Sequence, residues 1–155
     1  LPPYAIVAAH HRLARRKSVS LQELAEDPFI LLDLPHSRDY FFGLFRSAGI
    51  EPRIVFKSRS QELIRGLVAH GHGFAIQNAI PATTIAYDGN RIAVLAFEET
   101  LLPTRIMTLR LKHYAPRPAV QAFENYVREA FQAGGTFAPG SITPPGVDAV
   151  KRRKS

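Results

Sequence analysis

The sequence predicts an α/β fold, in which buried strands and amphipathic helices alternate along the chain. The run Phe29–Leu32 is apolar at every position, as in a strand that is covered on both faces. Apolar residues at helical spacing follow in Asp39–Ala48, and the next segment, Arg53–Lys57, alternates as a strand does. This order of elements is typical of a parallel sheet with right-handed crossovers.

The first elements have clear limits. Tyr4–Ala9 is a short apolar run that suits a buried strand, and a polar loop follows it. Ser20 and Glu23 have the spacing of a capping box, which predicts a helix after Ser20. Pro28 prevents that helix from continuing, and we expect the next strand over Phe29–Leu34.

Two amphipathic helices follow. Asp39–Ala48 has Ser37 as a candidate cap and Gly49 as a stop signal. Its apolar face consists of Phe41, Leu44, Phe45 and Ala48. Ser58 and Gln61 have the spacing of a second capping box, and they predict another helix. The apolar stripe of that helix consists of Leu63, Ile64, Leu67 and Val68.

The remaining chain continues the pattern. Gly71 and Gly73 bracket a turn into a strand at Phe74–Gln77, and Pro81–Asn90 is expected to be a short helix or loop. Further strands are predicted over Ile92–Ala96 and Arg105–Leu111. The last helix is predicted over Pro118–Phe131, with proline at its first position.

The formal net charge of +7 invites a nucleic-acid interpretation, but its location argues against one. Lys151–Lys154 follow a segment rich in Gly, Pro, Ser and Thr, so residues 133–155 are expected to form a disordered basic tail. Arg15–Lys17 lie in a loop, where a solvated surface is the simpler interpretation. Neither run establishes DNA binding.

Several classes of protein are disfavoured. The sequence has no export signal, no apolar run long enough to span a bilayer and no cysteine, so we expect a cytoplasmic protein without a membrane partner. It also lacks a Gly-x-Ser-x-Gly elbow and paired carboxylates, so an enzyme is not expected. His70 and His72 are two residues apart and point to different sides, which disfavours a metal site. Gly71-His72-Gly73 is interpreted as a packing turn, so no cofactor is predicted.

The carboxyl ends of the predicted strands are the expected place for a small ligand. Three such exits occur, at Pro35–Arg38, Ser58–Ser60 and Gln77–Ala79. The candidate binding residues at these exits are Pro35, His36, Ser37, Arg38, Ser60, Gln77 and Asn78.

Each candidate also has a purely structural interpretation. Ser37 either caps a helix or contacts an anion at the positive helix end, where Arg38 could pair with a carboxylate. Gln77 and Asn78 suit recognition of a polar ligand, although asparagine equally suits a turn. Ser58 is better explained by its capping box, which leaves Ser60 as the candidate contact of that loop.

Six segments together carry a resemblance to a known family. In order they are His11–Ala14, Ser18–Ala25, Pro28–Leu31, Tyr40–Arg46, Gly49–Pro52 and Leu67–Gly73. This ordered set resembles the effector-binding domain of LysR-type transcriptional regulators and covers about Pro3 to Phe131. Many relatives have an apolar residue followed by proline where this chain has Gln77 and Asn78.

The resemblance implies a periplasmic-binding-protein-like (type 2) fold, with two α/β lobes joined by two crossing strands. It divides the chain into a crossing strand and loop of the first lobe (1–19), a complete second lobe (20–103), a returning strand with the last first-lobe helix (104–132), and the tail (133–155). The crossing strands would be Tyr4–Ala9 and Arg105–Leu111. The first lobe would be only partly present.

The resemblance also implies a function. We expect an effector-sensing domain that lacks its helix-turn-helix domain and binds a small organic, anionic effector. The complete regulator would be a homodimer or tetramer and would contact DNA only through the absent N-terminal domain. The alternative is a fragment of a solute-binding protein that delivers its ligand to a transporter.

Overall fold

The computed structural model describes residues 1–78, 83–113 and 115–132. It separates into a larger unit, Pro2–Thr104, and a smaller unit that begins at Arg105. The predicted disordered tail (133–155) lies outside the described residues, as do residues 81 and 82 of the segment predicted to be a short helix or loop.

The predicted α/β class is confirmed, since strands and helices alternate through most of the larger unit. Its elements in chain order are β1 (Tyr4–Ala8), β2 (Ser18–Val19), α1 (Leu21–Leu24), β3 (Phe29–Leu32), α2 (Ser37–Ser47), β4 (Ile54–Ser58), α3 (Gln61–Ala69), β5 (Ala75–Gln77) and β6 (Ile92–Phe97). The smaller unit contains α4 (Pro118–Phe131).

The strands form a four-stranded sheet in the order β2-β6-β1-β5 and a parallel pair, β3-β4. The two are connected at Phe74, whose amide donates to the Pro28 carbonyl at 2.9 Å and whose carbonyl accepts from the Ile30 amide at 2.8 Å. The expected parallel arrangement holds for β3 and β4, whereas β1, which is predicted as a crossing strand, is antiparallel to β5 and β6. Strand direction depends on these distant partners, and the residues of β1 do not encode it.

Helices cover both faces of the strands. Alternate residues of β1 enter two different clusters, with Ala5 and Val7 on the side of α1 and α2, and Tyr4 and Ile6 on the side of α3. On the first side the ring centroids of Phe29 and Phe45 are 5.0 Å apart, and the rings meet edge to face. Burial on both faces explains why β1 and β3 are apolar at nearly every position.

The observed ends of α1 and α2 agree with some of the predicted capping residues and differ from others. The capping box of Ser20 and Glu23 is confirmed at the start of α1. Gly49 ends α2 as predicted, with φ of 69°, and the Ile50 amide bonds back to the Phe45 carbonyl at 2.9 Å. The prediction that Ser37 caps α2 is wrong, because His36 occupies the capping position. The side chain of His36 makes no capping hydrogen bond.

The start of α3 also differs from the prediction. Ser58 does not cap this helix, because β4 continues through Ser58 and places Ser60 at the cap. The Ser60 hydroxyl accepts from the Leu63 amide at 3.3 Å. The predicted apolar stripe is wrong at Leu63, which is exposed, whereas Ile64 and Val68 are buried. The face that α3 buries therefore differs from the predicted stripe.

The smaller unit confirms one prediction and contradicts another. Helix α4 has the predicted bounds, with proline in its first turn. The strand predicted over Arg105–Leu111 is wrong, since this segment has no regular structure. Its alternating side chains Met107, Leu109 and Leu111 are exposed, and no described strand pairs with it. Alternation produces a strand only where a neighbour completes the backbone hydrogen bonds.

Candidate functional site

The three predicted strand exits meet at one edge of the larger unit. Because β3 and β4 are parallel, their carboxyl ends lie side by side, and the Asp33 amide donates to the Ser58 carbonyl at 2.8 Å. Strand β5 starts parallel to β3, so Gln77 and Asn78 leave at this same edge. The Asn78 Nδ2 donates to the Tyr40 hydroxyl at 2.9 Å, which connects the third exit to α2.

Two helices begin at this edge. Helix α2 follows β3 and starts at Ser37, and α3 follows β4 and starts at Gln61. The amides of a first helical turn have no acceptor within their own helix, and the dipoles of the peptide groups make this end positive. The edge therefore offers backbone donors and a favourable potential to an anionic ligand.

A cleft of about 410 Å³ lies at this edge. Its volume is in the range of small-ligand pockets. The lining residues are Asp33, Leu34, Pro35, His36, Arg38, Asp39 and Arg59. Three predicted candidates, Pro35, His36 and Arg38, thus face one cleft. Ser37, the first residue of α2, and Ser60, the cap of α3, lie beside it and do not line it.

The arginines of the cleft differ in their partners. Arg38 donates to both carboxylate oxygens of Asp33, from Nε at 2.9 Å and from a terminal nitrogen at 2.7 Å. Part of the arginine fork expected to hold a ligand carboxylate is thus occupied by a carboxylate of the protein. Arg59 lines the same cleft, is exposed and forms no ion pair with any described residue. Sequence reasoning missed Arg59, although its place between Ser58 and Ser60 at a strand exit marked it.

Gln77 and Asn78 occupy different environments. Gln77 is 2% exposed, and neither polar atom of its side-chain amide forms a hydrogen bond with a described residue. Asn78 contacts Tyr40, whose hydroxyl in turn donates to the Leu102 carbonyl at 2.7 Å. Asn78 therefore joins the third exit to α2 through Tyr40, whereas the amide of Gln77 is buried without a hydrogen bond to a described residue.

Two further polar groups near this edge were not predicted. Arg65 of α3 is 4% exposed, and one of its terminal nitrogens donates to the carbonyls of Thr83 and Ile85, each at 2.8 Å. The hydroxyl of Tyr4 is buried and forms no hydrogen bond with any of the described residues. Burial raises the pKa of Tyr4 well above its usual value, although the positive charge of Arg65 lowers it in part. The hydroxyl therefore stays protonated. Arg65 lies three residues before the buried Val68, so the two share a face of α3. This spacing was the signal in the sequence that Arg65 is buried.

A larger cavity, of about 560 Å³, lies at the other end of α2. It is lined by Phe42, Phe45, Arg46, Gly49, Ile50, Glu51, Pro52 and Ile54. The carboxyl end of a helix carries the negative end of its dipole, so this cavity disfavours anions. For an anionic ligand, the smaller cleft at the helix N-termini is the better site despite its size.

The described residues contain neither a metal-ligand cluster nor a membrane-spanning helix. No group of three or more His, Asp or Glu side chains there could hold a metal ion. No helix in the described part of the chain is long and apolar enough to cross a membrane.

Comparison with known proteins places the chain in a family. The model of the LysR substrate binding domain matches residues 1–132. The crystal structure of HinK, a LysR family regulator from Pseudomonas aeruginosa, has a TM-score of 0.81 and 34% identity over 88% of this chain and 46% of that chain. The regulator TtuA of Agrobacterium vitis is 39% identical over 77 residues, which are 48% of this chain and 25% of TtuA.

A third comparison concerns the fold alone. The effector binding domain of QuiR, solved in complex with shikimate, has a TM-score of 0.59 and 24% identity over 80% of this chain and 58% of that chain. The chain thus spans less than two thirds of each of these three proteins. The family match over most of its length shows that the chain belongs to the LysR substrate-binding domain family.

Proposed function

We propose that this chain is the small-molecule-sensing domain of a LysR-type transcriptional regulator, and that its cleft contributes to a site for a small organic anion. The observation that carries the proposal is a cleft lined by Arg38 and Arg59, at the edge where three strands end and the helices α2 and α3 begin. The family match supports this function over the alternative of a solute-binding protein.

The charges of the cleft support an anionic ligand. Asp33 neutralises Arg38, and Asp39 in the first turn of α2 faces the positive helix end. Of the two arginines that line the cleft, Arg59 is then the one that forms no ion pair with a described residue. The Ser37 amide donates to the Leu34 carbonyl at 3.1 Å, so a ligand carboxylate would meet Arg59, the next amides of α2 and those N–H groups of Arg38 that do not face Asp33. Shikimate, which QuiR holds in its solved complex, is a carboxylate.

The regulatory output is also a proposal. A ligand shifts an equilibrium between conformations only by as much as it binds one of them more tightly. We place the DNA contacts in a separate helix-turn-helix domain of the complete regulator, assembled as a homodimer or tetramer. Ligand binding by the sensing domain would then reposition the paired DNA-binding domains.

Isothermal titration with benzoate, shikimate and succinate tests the anion site. We expect at least one of these carboxylates to bind, and Arg59→Ala to weaken binding about 10-fold or more, since a charge-assisted hydrogen bond is lost. Arg46→Ala is the matched control, because it removes the same charge from the other end of α2. The proposal fails if none of the three binds, or if both variants bind with the affinity of the unchanged protein.

A further inference from the structure

The amide of Gln77 poses an energetic problem. Gln77 is the last residue of β5, at the edge that borders the cleft, and both its Oε1 and its Nε2 are buried without a hydrogen-bond partner in the part of the chain that the structure describes. A buried amide that makes no hydrogen bond destabilises a fold, because its interactions with water are lost and not replaced. An apolar side chain at this position would pack at no such cost.

Gln77 is one of several unsatisfied polar groups on the same side of the strands. Tyr4 of β1 lies directly opposite Gln77 in the antiparallel pair, so their side chains share a face, and the Tyr4 hydroxyl is also buried without a partner. Helix α3 covers this face. Its Arg65 has an Nε without a hydrogen bond, although a Glu62 oxygen lies 3.3 Å away.

The atoms of this polar group define what they can bind. An amide presents both a donor and an acceptor, and the protonated Tyr4 hydroxyl does the same. A carboxylate offers acceptors only and would leave Gln77 Oε1 unsatisfied. An ammonium group offers donors only and would lie near the positive charge of Arg65. Hydroxyl and carboxamide groups offer both, and they carry no charge.

We propose that Gln77, assisted by Tyr4, determines ligand specificity by binding an uncharged hydroxyl or carboxamide group of a ligand whose anionic group lies in the cleft beside Arg59. This inference rests on the proposed function and adds the second recognition element of the ligand. Gln77 is then a binding residue: its buried amide destabilises the free protein, and hydrogen bonds to the ligand remove this destabilisation in the complex.

The spacing of the strands limits the size of the ligand. Arg59 follows β4, β3 is the neighbour of β4, and β5 begins beside β3, so the exits at Arg59 and Gln77 are two strand spacings apart. Two spacings amount to roughly 10 Å. A ligand that bridges the two exits therefore needs a spacer between its two polar groups, and a six-membered ring is the spacer that we expect.

Matched probes test the proposal. Benzoate carries the anionic group alone, whereas 4-hydroxybenzoate and 4-carbamoylbenzoate add the uncharged polar group across the ring. By titration calorimetry we expect the unchanged protein to prefer at least one substituted probe over benzoate by about 10-fold. Gln77→Met, which keeps the length of the side chain, should reduce this preference to about threefold or less. Gln22→Met, at an exposed position of α1, is the control and should keep the preference.

A second measurement needs no ligand. Because Gln77→Met removes an unsatisfied amide, it should raise the melting temperature of the free protein by about 4 °C or more, while Gln22→Met should not. If the Gln77 side chain only stabilised the fold, Gln77→Met would lower the melting temperature. A lower melting temperature for Gln77→Met would therefore overturn the inference.

The outcomes separate this inference from the proposed function. If benzoate binds as tightly as both substituted probes and Arg59→Ala weakens all three, the anion site stands and the role of Gln77 is wrong. If none of the three probes binds, the proposed function fails for ring carboxylates and the inference fails with it.

Discussion

Among the described glycines, Gly73 is the position at which a single added methyl group should lower the free energy of unfolding most. It precedes Phe74, where the chain passes close to Pro28, and its φ is 150°. A Cβ at Gly73 would lie 2.2 Å from the carbonyl oxygen of Pro28 and 2.9 Å from its carbonyl carbon. Backbone atoms cannot move aside as a flexible side chain can, so Gly73→Ala must force β3 and the start of β5 apart.

The magnitude follows from what the shift breaks. The amide of Phe74 would lose its bond to Pro28, 2.9 Å in the intact fold, and the amide of Ile30 its 2.8 Å bond to Phe74. Each contributes about 1 kcal/mol. The disfavoured backbone conformation adds about 1–3 kcal/mol for a residue that has a Cβ. The expected loss is therefore about 3–5 kcal/mol, a large share of the roughly 5–15 kcal/mol that stabilises a typical domain.

Urea denaturation followed by circular dichroism measures this loss. Gly43→Ala is the matched control, because Gly43 lies within α2 and a Cβ there would meet nothing within 4 Å. Alanine is the better helix former by about 1 kcal/mol, so this variant should be more stable than the unchanged protein. The reasoning is refuted if Gly73→Ala loses less than about 1 kcal/mol, or if both variants shift stability in the same direction.

Two further predictions concern the ends of helices. His36 has φ of 65°, which is uncommon for a residue with a Cβ, so His36→Gly should raise the free energy of unfolding by about 0.5–1 kcal/mol; an unchanged or lower melting temperature would contradict this. Hydrogen bonds from the Ser20 amide and then from Arg16 lower the pKa of Glu23. Its stabilising contribution is therefore complete above the unfolded pKa of about 4.3 and is lost as the pH falls through the lower folded pKa. Glu23→Gln should lose less melting temperature than the unchanged protein on acidification below about pH 4, and equal losses would argue against this role.

Much of the candidate site depends on contacts that no local pattern contains. The sequence indicated the strand exits, because a strand followed by a helix has a recognisable pattern and parallel strands end at a common edge. It did not indicate that Asp33 binds the fork of Arg38, which leaves Arg59 as the arginine of the cleft that forms no ion pair with a described residue. Nor did it indicate that the amide of Gln77 is buried unsatisfied, since that depends on the face of β5 that α3 covers.

The sequence by itself determined the α/β class, the capping box at Ser20, the stop of α2 at Gly49 and the bounds of α4. Each of these follows from interactions between residues at most about five positions apart, where periodicity and capping chemistry act. Only the tertiary structure decided that β1 runs antiparallel to its neighbours, that β4 extends through Ser58, and that residues 105–111 form no strand. These outcomes depend on which distant backbone groups complete the hydrogen bonds of a segment, and the residues of the segment do not specify its partners.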